Sequence, residues 1–287
     1  MRLWGVVFAA SLSAGLAFAQ EGPAPAEDPL DADAANAEQA IEIARASAAF
    51  IAQQERLGFR WFLSFDEVLQ GREKLTFVAS GQNVLDREQG FLFSAERDVG
   101  RRDYYYDGAV FTISAPEEDF YTSIDFEGGF DRLIEVIRER SDTVPPLWAV
   151  MSTTLPDRLM DTVEGAAYLG ITRIAGQEVH HLAFHTYDED WQLWVSTDET
   201  MPVPLMLVGT DTYQQGWPQY RAHMMDWTFE PEIDPAAFVF VADEDDEAVS
   251  IAQARPDTTA AGALERRAEE AAEDAAGEGA TSNGEAE

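Results

Sequence analysis

Residues 177–195, QEVHHLAFHTYDEDWQLWV, constrain the fold more than any other stretch. They read as two strands joined by a tight acidic turn, Tyr187-Asp188-Glu189-Asp190. Side chains alternate along a strand, so His180, Leu182 and Phe184 share one face and His181, Ala183 and His185 the other. In the second strand Trp191, Leu193 and Val195 oppose Gln192, Trp194 and Ser196. Neither strand has a plainly wet face. That predicts a hairpin in the middle of a sheet covered on both sides.

The same period recurs along the chain. Phe59, Trp61, Leu63 and Phe65 alternate with polar residues, broken only by Phe62. Leu75, Phe77 and Ala79 follow the rule, then Phe91, Phe93 and Ala95. Residues 102–106 and 110–114 flank Asp107-Gly108, a strong hairpin signal, and 120–124 continues the meander. Strands resume at 168–174, pass through the hairpin, and end with 203–208 and 220–229; 238–241 would add a short last segment. The sum is about eleven strands. Helical period appears twice. Ala40, Ile43, Ala44, Phe50 and Ile51 form one stripe, closed by Gly58. Phe130, Leu133, Ile134 and Ile137 form another, stopped by Pro145-Pro146. Residues 147–160 read as short helical turns. A sheet this large curls, and the helices then cover its concave face. The fold class is mainly β with covering helices (α+β), in one domain over 35–242.

The ends are different in kind. Arg2, an apolar run from Leu3 to Leu16 and Ala17-Phe18-Ala19 make residues 1–19 a secretory signal peptide. Residues 20–34 read as a disordered leader. Residues 243–287 read as an acidic disordered tail, because they hold no aromatic residue. No other stretch is apolar enough to span a bilayer. Cysteine is absent, so an exported chain of this kind relies on core burial rather than disulfides and carries no lipidated cysteine. The periplasm of a Gram-negative bacterium is the expected location. A net charge of −35 excludes nucleic acid as a partner and opposes anionic membrane surfaces.

Chemistry is scarce. His180 and His181 point to opposite faces, and His181 and His185 lie roughly 13 Å apart along a strand, too far to share a zinc ion. No metal is expected there, and Asp188-Glu189-Asp190 reads as a solvated turn. The chain has no G-x-S-x-G elbow, no cysteine nucleophile and no phosphate loop, so no catalytic residue, cofactor or enzyme activity is expected. What remains is one apolar sheet face. Its candidates are Phe59, Trp61, Leu63 and Phe65 on the first strand, with Phe77 and Phe93 on the next two. The hairpin adds Leu182, Phe184 and Leu193, and the last strands add Leu205, Met225 and Trp227. Two readings fit: a filled core, or a cavity under a helical lid that binds a lipid or other hydrophobic ligand. An envelope protein-interaction or sensing module is the alternative role.

Several motifs point to a family. Arg102-x-Tyr-Tyr-Tyr-Asp-Gly-x-x-Phe, His180-His181-Leu182-Ala183-Phe184, Asp190-Trp191-Gln192-Leu193-Trp194-Val195 and Pro204-x-x-Leu-Val resemble a family of predicted periplasmic proteins. That family is grouped with the LolA-like and LolB-like lipoprotein carriers. The resemblance covers roughly 35–242. It implies a LolA-like unclosed antiparallel β-barrel with a helical lid over a hydrophobic cavity. A lipid, acyl chain or lipoprotein would be the implied partner, and no functional residue is carried over.

Overall fold

The computed structural model describes residues 34–69, 73–97, 100–141 and 146–250. The expected signal peptide, nearly all of the expected leader and residues 251–287 of the expected tail lie outside the described residues. The chain opens with α1 (Ala34–Ala52), whose buried side is small: Ala40, Ala44, Ser47 and Ala48, with Ile51 at its end. Six strands follow in a meander, β1 (Arg56–Leu69), β2 (Glu73–Asp86), β3 (Gly90–Arg97), β4 (Gly100–Tyr106), β5 (Val110–Ala115) and β6 (Phe120–Asp125). Three helices interrupt: α2 (Gly129–Ser141), α3 (Pro146–Ala149) and α4 (Leu155–Arg158). Five more strands come next, β7 (Gly165–Ile174), β8 (Gln177–His185), β9 (Glu189–Ser196), β10 (Pro204–Asp211) and β11 (Gln219–Thr228).

All are antiparallel neighbours in one sheet, in the order β6-β5-β4-β3-β2-β1-β11-β10-β9-β8-β7. The first and last halves of the chain therefore meet where β1 pairs with β11. The sheet is unclosed, with helices over one face, as the resemblance implies. A twelfth strand, β12 (Glu247–Ala248), pairs in parallel with β6 at Phe120 and Tyr121, so ordered structure runs beyond residue 242 into the acidic segment. Residues 238–241 are not a strand. Asp234 caps a 3-10 helix (Pro235–Phe238) by accepting from the Ala236 N–H, and Phe238 is buried.

The hairpin 177–195 is not central. β8 is the second strand from an edge, beside β7. Its outer face is not covered either. His181 stacks on Trp194 with centroids 4.2 Å apart and shares a 2.9 Å hydrogen bond with Gln192, which leaves these residues half-buried. Cross-strand pairing hides the wet face that the sequence does not display.

Candidate functional site

The inner face of the sheet is built by strand register. On β1, Leu57, Phe59, Trp61, Leu63 and Phe65 lie opposite Leu85, Asn83, Gly81, Ala79 and Phe77 of β2. This face carries two apolar clusters. The first holds Phe59, Trp61, Phe91, Phe93, Tyr106 and Phe111, roofed by Phe130, Leu133 and Ile134 of α2 and by Leu147 and Met151. Phe91 and Phe93 stack at 4.4 Å, and Phe130 meets both edge-on at 5.7 Å. The second cluster joins Ala40 and Ala44 of α1 to Ala166, Leu182, Phe184, Leu193 and Val195. Leu207 of β10 touches both.

Polar pins hold the roof. Asn83, buried on the inner face, accepts from the Trp61 indole at 3.1 Å and donates to the Leu147 carbonyl at 3.4 Å. Arg87 donates to the carbonyls of Gln54, Ile51 and Met151, joining the end of α1 and the turn after α3 to one sheet corner. Burial pushes the Arg87 guanidinium below its usual value, against the pull of Asp131. Asp131 of α2 accepts from the Ser152 and Thr153 hydroxyls and the Thr153 N–H.

The sequence-selected residues divide. Phe93, Leu182 and Phe184 are buried inside the two clusters, with Phe59, Trp61 and Leu193 nearly so. Trp227 stacks on Phe59 at 4.2 Å and donates to the Pro204 carbonyl. Leu63 is half-buried, and Phe65 and Phe77 pair with each other at 5.9 Å outside both clusters. Leu205 falls where the β9–β10 register slips, between Pro204 and Met206, and belongs to neither cluster. Met225 is misplaced. It lies opposite Arg60 on the outer face, because a β-bulge slips the register between Gly58 and Arg60 and Asp226 takes φ 54°. The inward methionine is Met224, opposite Trp61 and buried.

The histidines are tied into the sheet: Tyr168 to His180 at 3.0 Å, and His185 to Asp190 at 2.6 Å. Burial lowers the pKa of His180. Among the described residues no three His, Asp or Glu side chains are grouped to hold a metal. Two hollows, of 270 and 450 Å³, open on the outer face, the first under Phe240 and the second beside Arg60, Phe62 and Met225. One polar pair on the inner face escaped the sequence reading: Glu189 with Tyr220. Its only signal is Gly209, a glycine inside a strand.

Residues 40–252 match the model of a family described as "Predicted periplasmic protein (DUF2092)". The chain belongs to that family. No curated protein sequence matches it. Solved structures with a similar course include the Mycobacterium tuberculosis lipoprotein LppX, at 8% identity and TM-score 0.44, covering 69% of this chain and 99% of that one. LprF from Mycobacterium bovis gives 9% identity and TM-score 0.41, covering 66% and 93%. A LolA superfamily protein from Nitrosomonas europaea gives 9% and 0.34, covering 71% and 98%. At such identities and scores the likeness carries no weight for ligand or role.

Proposed function

We propose that this is a periplasmic protein that binds a lipid or other hydrophobic ligand between its curved sheet and its helices. One observation carries the reading: apolar side chains of the inner face extend beyond the packed clusters. Phe65 and Phe77 continue the apolar rows of β1 and β2 past the packed core, partly exposed and with the Arg97 guanidinium over Phe65, while Leu63, Trp191 and Leu207 edge the clusters beside them. An acyl chain laid along this strip would gain about 0.8 kcal/mol per buried CH₂. Phe93, Leu182 and Phe184 would join the lining only when α1 or α2 moves off the sheet.

The test is organic extraction of the natively exported protein, with mass spectrometry of the extract. A near-stoichiometric lipid, absent from an unrelated periplasmic control, supports the reading and names the ligand class. In parallel, Phe65→Gln with Phe77→Gln should weaken uptake of a fluorescent acyl probe roughly tenfold, since both rings are half-exposed and lie outside the clusters. A clean extract together with no probe uptake by the wild-type protein overturns it. The outer face then becomes the better prospect, as a protein-interaction surface, because Phe62, Val78 and Met225 are exposed there.

A further inference from the structure

The inner face between the two clusters carries few polar side chains: the Arg97 guanidinium, 5.4 Å over the Phe65 ring, and the pair Glu189 and Tyr220. Glu189 opens β9, and Tyr220 lies next to the start of β11. Register brings them together over β10. Gly209 lies opposite both Trp191 and Tyr220, and Tyr220 lies opposite Phe65 on its other side. The Glu189 carboxyl and the Tyr220 ring lie side by side over Gly209. A methyl group on residue 209 would collide with the Glu189 Oε1 atom and with the Tyr220 ring. Only glycine lets the pair lie down against the sheet. The pair therefore sits within the half-exposed strip of Trp191, Phe65, Phe77 and Leu207, the strip on which the proposed ligand site rests.

The charges that act on Glu189 are acidic, and the cation on this face, Arg97, lies over the Phe65 ring on the far side of Tyr220. Asp188 of the β8–β9 turn, Asp190 of β9 and Asp211 at the end of β10 act on it, and each disfavours its ionised form. Asp190 is itself engaged by His185, and Asp211 accepts the Tyr213 and Gln214 N–H groups. From β11 the neighbour is Tyr220, whose own ionisation is suppressed by burial and by Glu189. A half-buried carboxyl among acids, against an aromatic ring, gains most from a positive charge brought in from outside. Aromatic faces at Trp191 and Tyr220 add a quadrupole of the right sign.

We propose that Glu189 and Tyr220 seat the head of a cationic amphiphile, an amine or quaternary ammonium on a hydrocarbon chain whose tail runs along the apolar strip. This deepens the ligand-binding reading above and depends on it. The acids beside the pair repel an anionic head, and a neutral hydroxyl leaves the carboxyl uncompensated.

The experiment is displacement of a neutral fluorescent probe from the full exported protein by three amphiphiles of equal chain length: an alkyltrimethylammonium, an alcohol and a carboxylate. At neutral pH the ammonium should bind about tenfold more tightly than the alcohol, and the carboxylate weakest. In Glu189→Gln the ratio of ammonium to alcohol affinity should fall to near one. Should that variant fail to fold, the wild-type protein gives a second reading: acidification, which protonates Glu189, should erase the ammonium preference. Alcohol binding without an ammonium preference, or a preference that survives both Glu189→Gln and acid, overturns the cationic seat and leaves the apolar site standing. No displacement by any of the three overturns both.

Discussion

The two clusters under the helices are filled on opposite principles. The first is a stack of rings: Trp148 packs 5.2 Å from Phe93 and 5.0 Å from Tyr104, above the Phe91–Phe93 pair. Its roof is held away from the sheet by the volume of those rings. The second is a close approach. The alanine stripe of α1 lets the helix lie near β7 and β8, and Asn36 clips it there, donating to the Tyr168 carbonyl at 2.9 Å and accepting the Tyr168 N–H at 2.7 Å. The size rule should invert between the two. Removing volume harms the ring cluster, and adding volume harms the alanine cluster.

The largest effect expected is Phe93→Ala, about 3–5 kcal/mol in urea unfolding, because a ring packed against Phe91, Phe130 and Trp148 leaves a cavity. A cost below about 1 kcal/mol would mean that the roof collapses into the gap, and the contrast would fail. Next comes Ala44→Leu, about 1–3 kcal/mol, since α1 must lift to admit the added carbons. No loss there would show that α1 rides loosely, which would sharpen the case for α1 as the moving cover.

Acid and base should separate the two faces further. Asp66 lies on the outer face with its side chain 2% exposed. Burial alone would raise its pKa, but hydrogen bonds from Thr76, the Gln219 N–H and Lys74 outweigh that and hold it below its ordinary 3.8. A carboxyl with a depressed folded pKa contributes stability that is complete above the unfolded value and is lost as pH falls through the folded one. Glu189 on the inner face has the opposite sign. Burial first, then its acidic neighbours, raise it above 4.5, so its contribution is complete at acid pH and fades as pH rises through the folded value. Asp66→Asn should therefore lower the urea midpoint near neutral pH, while Glu189→Gln should raise it there. Equal and parallel shifts for both would contradict the geometry.

Much of this was legible in the sequence. Period-2 alternation, the Asp107-Gly108 hairpin signal and turn punctuation located the eleven long strands, and the spacing Phe130, Leu133, Ile134, Ile137 located α2 with its buried side. What stayed hidden depends on pairing rather than period. Gln192 and His181 look like core when read along one strand, yet they satisfy each other on an open face. Glu189 reads as part of a solvated turn until β10 and β11 are laid beside it, and the twelfth strand needs β6 as its template.

The bulge at Met225 is the smallest of these differences and gives the most discriminating comparison. Met224 and Met225 are consecutive and chemically identical, so composition and hydropathy treat them alike. The register gives them opposite fates: Met224 is 2% exposed beneath Trp61, and Met225 is 41% exposed beside Arg60. Arg60 donates to Asp226 at 2.6 Å, which fixes the extra residue outward and returns Trp227 to the inner face. Met224→Ser should cost about 2–5 kcal/mol, as for other buried methionines cut back to small residues. Met225→Ser should stay within about 0.5 kcal/mol and leave acyl-probe uptake unchanged. If the two costs were reversed, the register between Gly58 and Arg60 would be wrong by one residue, and every inward assignment on β11 beyond it would change face.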